Sequence, residues 1–246
     1  DADLLVIVGS SLNEFVTNGR PLVLGPGAQV AQIDVDPTMI GRNLPVDAAV
    51  VGDAKTVLSE ILRQLSDRPS MSSSSRPPPI VEPTIVRRES DYPTRSTNSP
   101  YMKPRDLITE LRRVMADEDL LFVDIGTTIL WTVHHFPVRA PHTFFVDSGL
   151  GSMGSAVAGS IGGALAAKKG RVVALVGDGA FAMNGFEVHT AVEFGLPIVW
   201  VVLNNGGHGM VRQGDQIMRG RDLGASQFEL PLDTATIARG LGADGY

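Results

Sequence analysis

Two short polar motifs follow two apolar runs and contain residue types that could hold a metal ion. A Gly-Asp-Gly motif centred on Asp178 follows the run at residues 172–176, and an Asn-Asn motif at 204–205 follows the run at residues 198–203. If both runs are parallel strands joined by a helix, their carboxyl ends meet at one edge of the sheet, where ligands bind in open α/β folds. A carboxylate and an amide oxygen among glycines suit Mg²⁺ that carries a diphosphate.

The segments around these motifs predict the elements that must position them. The predicted strands cover residues 120–124, 143–147, 171–176 and 198–203, and the predicted helices cover residues 103–115, 126–134, 154–167 and 183–194. Strands that alternate with helices are typical of a doubly wound, mostly parallel sheet. We therefore expect an α/β fold of this class over residues 102–246.

Residues 1–66 predict part of a smaller α/β domain before this fold. Apolar runs at residues 4–9 and 30–35 precede an amphipathic helix at residues 54–65. Its apolar positions fall on one side of the helix, and they are Val57, Leu58, Ile61, Leu62 and Leu65. The chain begins without Met and almost within a strand, and we expect a fragment that is incomplete at both ends.

Proline and serine are concentrated in residues 67–101, between the two α/β regions. Such a composition cannot bury enough apolar area to offset the chain entropy lost on folding. We expect an extended or disordered linker there.

The composition excludes several classes of function. A formal net charge of −6 and the lack of a basic patch argue against binding to nucleic acid. No apolar stretch reaches the ~18 residues of a membrane span, and the first residues lack the basic start and apolar core of a signal peptide. The absence of cysteine excludes disulfides and thiolate metal ligands. We expect a cytoplasmic protein without a nucleic-acid or membrane partner.

Four glycine-rich turns follow four of the predicted strands. Glycine lets the backbone approach a ligand closely, and the helix N-termini beside such turns offer N–H groups and a positive dipole to phosphate. The turns are Asp124-Ile125-Gly126-Thr127-Thr128, Gly149-Leu150-Gly151-Ser152-Met153-Gly154, Gly177-Asp178-Gly179-Ala180-Phe181 and Asn204-Asn205-Gly206-Gly207-His208-Gly209. Their recurrence at successive strand ends indicates one shared phosphate site.

Two other interpretations remain open from the residues alone. The turn at 149–154 matches G-x-G-x-x-G before a helix, and Asp178 follows at about the distance of the ribose-binding acid in a dinucleotide fold. That interpretation predicts NAD, but it gives no role to Gly179 or to residues 204–207. Alternatively, Asp178 simply caps the following helix. A P-loop is excluded in its plain form, because no G-x-x-x-x-G-K-[ST] occurs.

The motifs resemble those of a known family. The Gly-Asp-Gly and Asn-Asn motifs, at this spacing, are similar to the cofactor motif of thiamine-diphosphate-dependent enzymes. The segments at residues 148–154 and 203–211 look most like the acetolactate synthase branch. The segments at residues 33–37, 41–43 and 51–54 resemble the second half of the family's middle domain. The resemblance implies that residues 102–246 are the diphosphate-binding domain.

The resemblance assigns metal and diphosphate contacts to particular residues. Asp178, the side-chain oxygen of Asn205 and the carbonyl of Gly207 should bind Mg²⁺, which prefers near-octahedral oxygen coordination. The N–H groups of Ala180 and Phe181, at a helix start, should meet the diphosphate. Further positions implied to contact the cofactor are Gly177 and Gly179 of the metal motif, and the Gly126-Thr127-Thr128 turn, which stands where acetolactate synthases have Gly-Gln-His.

The resemblance also implies contacts with the organic part of the cofactor. Met153 corresponds to the bulky residue beneath the bent cofactor, and Gly151 would offer its carbonyl to the exocyclic amine of the aminopyrimidine. His208 and Met210 are expected to line the cofactor or the substrate pocket.

Part of the family's active site is expected outside this chain. The activating glutamate belongs to a separate N-terminal domain, so we assign no catalytic residue here and expect the isolated fragment to be inactive. Family sites form between subunits, which implies a homodimer or homotetramer. Acetolactate synthases that use FAD carry an Arg where this chain has Ser11 and Leu12, and we therefore expect no FAD.

The predicted function is the thiamine-diphosphate- and Mg²⁺-dependent decarboxylation or carboligation of a 2-oxo acid, as in acetolactate synthase. Another decarboxylase or carboligase of the family, similar to benzoylformate decarboxylase, is the nearest alternative. Two hypotheses come from different classes, namely an NAD-dependent oxidoreductase and a non-catalytic relative.

Overall fold

The chain folds as two compact units, Asp1–Glu82 and Pro83–Tyr246. The computed structural model describes residues 2–13, 24–66, 101–167 and 169–246. The linker predicted for residues 67–101 therefore lies outside the described residues, except for Tyr101. No helix in the described ranges is both long and apolar enough to cross a membrane.

The first unit contains a parallel sheet of three strands in the order β1-β2-β3. The strands are β1 (Leu4–Val8), β2 (Gln29–Asp34) and β3 (Ala48–Val51), and helix α1 (Ala54–Ser66) follows them. The helix is amphipathic as predicted, but its apolar side is largely exposed, with Leu62 65% exposed. Periodicity identified the helix correctly, whereas the burial of its apolar side depends on tertiary packing that the period does not encode.

The second unit is built on four parallel strands in the order β5-β4-β6-β7. They are β4 (Leu120–Val123), β5 (Phe144–Val146), β6 (Val172–Gly177) and β7 (Ile198–Leu203). The order reverses between β4 and β6, because the chain passes from β4 to β5 on one side and then returns to β6 on the other. The carboxyl ends of β4 and β6 thus form the crevice in which open α/β sheets bind ligands.

Helices cover both faces of this sheet, and the predicted doubly wound fold is confirmed. The helices are α2 (Pro104–Val114), α3 (Thr127–His135), α4 (Ser155–Ala166), α5 (Asp178–Asn184), α6 (Glu187–Glu193), α7 (Gly209–Arg219) and α8 (Thr234–Gly240). Alternate residues of β6 point to opposite faces. Val173 and Leu175 join a core with Ile108 of α2, while Ala174 and Val176 join a second core with residues of α4, α5 and α6.

One predicted helix differs from the structure. Residues 183–194 were expected to form a single helix, but two short helices, α5 and α6, span residues 178–184 and 187–193. The break lies at Gly185, which caps α5 and whose N–H donates to the carbonyl of Phe181. A Cβ at Gly185 would meet that same carbonyl oxygen. The earlier start of α5 makes Asp178 its first residue.

Candidate functional site

Asp178 lies at the junction of β6 and α5, at the carboxyl edge of the sheet. Its side chain is 1% exposed, and Oδ2 accepts a hydrogen bond from the backbone N–H of Gly207 at 2.9 Å. The N-cap of α5 is Gly177, without a side-chain capping bond. Asp178 therefore does not act as the N-cap of this helix, and its carboxylate links the loops after β6 and β7.

The amide of Asn205 completes a cluster of oxygens with Asp178 and Gly207. One terminal atom of this amide lies 2.8 Å from the carbonyl oxygen of Gly207 and 3.2 Å from Oδ1 of Asp178. Nitrogen at this position would donate to both oxygens, whereas oxygen would bring three acceptors face to face, and the two orientations are nearly indistinguishable by shape. The three sequence-predicted metal ligands are thus brought together.

This oxygen cluster contains a single carboxylate. Across the described ranges, no three His, Cys, Asp or Glu side chains group as a metal site. Mg²⁺ is commonly held by one or two carboxylates together with phosphate and water oxygens. The donor set therefore fits Mg²⁺ that arrives with a phosphorylated ligand, and it does not resemble a closed metal site.

A short backbone pairing holds Gly207 in this position. The N–H of His208 donates to the carbonyl of Ser226 at 2.7 Å, and the N–H of Phe228 donates to the carbonyl of Gly206 at 2.8 Å. Gly207 has φ +156, and a Cβ there would overlap the carbonyl oxygen of Ser226. Only glycine allows this close approach of the two segments.

Gly179 is the meeting point of two side chains from other loops. A Cβ on Gly179 would lie 2.6 Å from Nδ1 of His208 and 3.5 Å from Cε of Met153. The His208 ring packs edge-on against Phe228, with 5.3 Å between ring centroids. The structure therefore brings Met153 and His208 to the metal motif, as the resemblance implied, with glycine required between them.

The turn after β4 approaches the same loops. Gly126 is the N-cap of α3, with φ 118. Oγ1 of Thr127 lies 3.5 Å from where a Cβ of Gly209 would stand, and Oγ1 of Thr128 lies 3.5 Å from the equivalent point on Gly177. Both hydroxyl groups thus face the metal loops.

The remaining sequence-predicted positions have more varied surroundings. The side chains of Ala180 and Phe181 are buried in the core, while their N–H groups belong to the first turn of α5, which lacks intrahelical acceptors. Gly151 is exposed, with φ +71. Met210 lies in the first turn of α7 and is 36% exposed.

Two carboxylates, which received no individual role from the sequence, organise the loop at residues 149–154. Asp124 accepts hydrogen bonds from the N–H groups of Gly154 and Ala156 at 2.8 and 2.9 Å, and Asp147 accepts from those of Leu150 and Ser152. Burial raises the pKa of Asp124 and the nearby Asp147 adds to this, although the N–H donors oppose it. The hydrogen bond from Ser152, followed by that from Leu150, lowers the pKa of Asp147. The position of Asp124 directly after a strand was the available sequence signal.

The dinucleotide interpretation disagrees with this geometry. In a dinucleotide fold the strand after the glycine turn lies beside the strand before it, whereas β4 lies between β5 and β6 here. The helix N-terminus that would bind pyrophosphate is also occupied, because its Gly154 and Ala156 N–H groups donate to the Asp124 carboxylate.

Comparisons with known proteins agree with the resemblance. Residues 124–246 match the family model "Thiamine pyrophosphate enzyme, C-terminal TPP binding domain", and residues 1–61 match "Thiamine pyrophosphate enzyme, central domain". The chain is 31% identical to the acetolactate synthase large subunit of Haemophilus influenzae and 30% identical to the acetolactate synthase isozyme 3 large subunit of Escherichia coli. Both alignments cover 100% of this chain and 42% of the relative.

A solved structure shares the fold. The thiamine diphosphate-dependent 4-hydroxybenzoylformate decarboxylase of Rhodococcus jostii superposes with a TM-score of 0.75 at 21% identity, over 98% of this chain and 43% of that one. The chain thus spans about two fifths of the length of the curated relatives it matches. Since the C-terminal domain model alone covers half of the chain, the chain belongs to the thiamine pyrophosphate enzyme family.

Proposed function

We propose that residues 102–246 bind thiamine diphosphate through Mg²⁺ at the oxygen cluster of Asp178, Asn205 and Gly207. The observation that carries this proposal is the convergence of three potential ligands from two loops. Octahedral coordination at ~2.05 Å places neighbouring ligand oxygens about 2.9 Å apart. The separations of 2.8 and 3.2 Å around the Asn205 amide are close to that value.

The diphosphate would lie beside this ion, at the start of α5. The N–H groups of Ala180 and Phe181 would donate to its oxygens, since the first turn of a helix offers free N–H donors. The hydroxyls of Thr127 and Thr128 face the same loops and would add donors. Asp178 carries the only carboxylate of the oxygen cluster, so the site leaves the metal with positive charge to bind phosphate.

The organic part of the cofactor would extend towards Met153, with the Gly151 carbonyl holding the aminopyrimidine. Support for this comes from the packing of Met153 and His208 against opposite sides of the same glycine, Gly179. Met153 would fix the bend of the cofactor by packing, and His208 and Met210 would line the approach of the substrate.

We propose a 2-oxo acid as the substrate, with pyruvate as donor, because the curated relatives cited above carry the name acetolactate synthase. Bound thiamine diphosphate supplies a thiazolium carbon that bonds to the keto carbon, so that CO₂ leaves and a second carbonyl or a proton is taken up. The residues of this chain bind, orient and shield that cofactor.

The remaining assignments of the whole protein are also proposals. We propose a partial central domain at residues 1–66, a linker at 67–101 and the cofactor domain at 102–246, in a cytoplasmic homodimer or homotetramer. The activating glutamate would come from a domain not present in this chain, and the isolated chain would lack turnover for that reason.

Isothermal titration calorimetry of the full natural protein tests the cofactor assignment. We expect thiamine diphosphate to bind only when Mg²⁺ is present, and NAD not to bind under either condition. Binding of NAD without binding of thiamine diphosphate would contradict the proposal.

Product analysis then tests the reaction. Incubation with pyruvate, alone and with 2-oxobutyrate, should release CO₂ and give two-substrate condensation products. Release of CO₂ with an aldehyde as the only organic product would favour a decarboxylase over a carboligase.

A further inference from the structure

Asp124 is a buried carboxylate that links the end of β4 to the start of a distant helix. Its side chain is 0% exposed. Oδ1 accepts from the N–H of Gly154 at 2.8 Å and from that of Ile125 at 2.9 Å, while Oδ2 accepts from the N–H of Ala156 at 2.9 Å. Three backbone donors thus converge on one side chain.

These bonds replace the cap that α4 lacks. Its own N-cap is Gly154, which has no side chain to satisfy the free N–H groups of the first turn. Gly154 has φ +86, and a Cβ there would lie 2.8 Å from the side chain of Asn184. Asp124 therefore caps α4 from a neighbouring strand, across 30 residues of sequence.

The capped segment directly follows Met153, which the proposed function places against the cofactor. Asn184 also holds this segment, since its Nδ2 donates to the carbonyl of Gly154 at 3.2 Å. Met153 in turn approaches Gly179 of the metal motif, with Cε 3.5 Å from the Cβ position there. The bonds to Asp124 are therefore one residue away from the side chain whose position matters.

An ionised carboxylate without a cationic partner is costly to bury, and burial raises the pKa of Asp124. The three N–H donors offset part of this cost. An apolar residue at position 124 would avoid the burial cost, but it would leave the N–H groups of Gly154 and Ala156 without an acceptor.

We infer that Asp124 is a positioning residue: by holding the N–H groups of Gly154 and Ala156, it fixes Met153 beside Gly179 in the geometry that the bound cofactor needs for activation. This inference rests on the proposed function. Asp124 acts through Met153 and does not touch the cofactor.

Asp124→Asn is the informative variant, because it keeps the size of the side chain and replaces one acceptor oxygen by an NH₂ donor that faces a backbone N–H. Asp119→Asn is its matched control. Asp119 is also buried and flanks the other end of β4. It accepts from the backbone N–H groups of Ala116 and Arg171 at 2.8 and 2.7 Å.

Hydrogen–deuterium exchange of the full natural protein without cofactor tests the structural step. Exchange in residues 149–156 should become ~10-fold faster in Asp124→Asn, as expected for the loss of one charge-assisted hydrogen bond. Asp119→Asn should leave this segment within ~2-fold of the wild type, because the control has no bond to it. Unchanged exchange in Asp124→Asn would overturn the inference.

The exchange of the thiazolium C2 proton of bound thiamine diphosphate, followed by NMR in D₂O with saturating Mg²⁺, tests the functional step. Asp124→Asn should slow it ~10–100-fold, while the Kd of the cofactor changes by less than ~3-fold, because misplacement and not lost binding is the defect. Asp119→Asn should leave the rate within ~2-fold. Equal effects of the two variants, or an unchanged rate in Asp124→Asn, would overturn the positioning role.

Asn184→Ala provides a second route if Asp124→Asn does not fold. It removes the other side-chain bond to Gly154, and it should slow C2-proton exchange ~3-fold while leaving the cofactor Kd within ~2-fold. No effect would overturn the inference. Failure of the proposed function would instead appear as a wild-type protein that binds no thiamine diphosphate.

Discussion

The Asp178 carboxylate and the backbone N–H of Gly207 form a hydrogen bond of 2.9 Å between adjacent loops. The register of β6 and β7, with Gly177 opposite Leu203, brings the two loops side by side. Since the same carboxylate and the carbonyl of Gly207 both face Asn205, one set of contacts positions the loops and forms the proposed metal site. Changes to either loop should therefore affect stability and metal-dependent binding together.

Gly207→Ala should impair both properties. The new Cβ would overlap the carbonyl oxygen of Ser226 and would lie 3.0 Å from Cα of Gln227, so the carbonyl of residue 207 must move away from Asp178. We expect the affinity for thiamine diphosphate with Mg²⁺ to fall at least ~10-fold, as for lost support of a metal ligand. Calorimetry measures this effect. Gly214→Ala in α7, where nothing lies within 4 Å of the new Cβ, is the control and should bind as the wild type does.

Gly179→Ala should force the His208 ring away from the metal motif, because the new Cβ would lie 2.6 Å from Nδ1. The expected loss is about 1–3 kcal/mol in the free energy of unfolding, as for overpacking. A double-mutant cycle with His208→Ala should recover most of this loss, since the ring is then absent. Additive costs in the double variant would show that His208 is not the group displaced.

Two neighbouring glycines of α4 should respond in opposite ways to alanine. A Cβ at Gly163 would overlap the Phe122 ring, whereas nothing lies within 4 Å of a Cβ at Gly162. Gly163→Ala should therefore lower the free energy of unfolding by about 1–3 kcal/mol. Gly162→Ala should raise it by up to about 1 kcal/mol through helix propensity. Urea denaturation of both variants measures the contrast, and equal effects would refute the close packing of α4 on the sheet.

The two carboxylates that flank β4 should contribute to stability with opposite pH dependence. For Asp119, burial alone raises the pKa, but hydrogen bonds from Arg171 and Ala116 outweigh it, and the net pKa lies below the ordinary 3.8. Its contribution is present above pH 3.8 and is lost as the pH falls through the lowered pKa. For Asp124, burial raises the pKa above 3.8. Its contribution is therefore full below pH 3.8 and decreases as the pH rises through the raised pKa.

Urea denaturation of Asp119→Asn and Asp124→Asn beside the wild type, from about pH 3 to about pH 7, measures both trends. The stability difference between wild type and Asp119→Asn should narrow on acidification. The difference for Asp124→Asn should narrow as the pH rises. The same direction for both variants would contradict the assigned shifts.

The strands and the metal cluster could be predicted because they depend on local patterns. The apolar run before Asp178 and the run before Asn204 are each long enough for a strand, and parallel pairing then brings their ends together. Spacing alone therefore led to Asp178, Asn205 and Gly207 as neighbours.

The positioning contacts could not be predicted, since they join residues far apart in sequence. The bond from Gly154 to Asp124 spans 30 residues, and the pairing of Gly206 with Phe228 depends on how the chain returns after α7. The break between α5 and α6 was missed because helical periodicity continues across it, while the close contact of Gly185 with Phe181 is a tertiary detail. No local propensity encodes such contacts.

The Mg²⁺ dependence of thiamine diphosphate binding in Asp178→Asn tests the central claim most directly. Asparagine keeps the shape of this buried side chain and removes its charge, and Asp119→Asn controls for the loss of a buried carboxylate elsewhere on the sheet. We predict that Asp178→Asn weakens Mg²⁺-dependent binding at least ~10-fold in calorimetry, as for loss of a direct metal ligand. Asp119→Asn should bind as the wild type does. Unchanged, Mg²⁺-dependent binding by Asp178→Asn would contradict the assignment of this site.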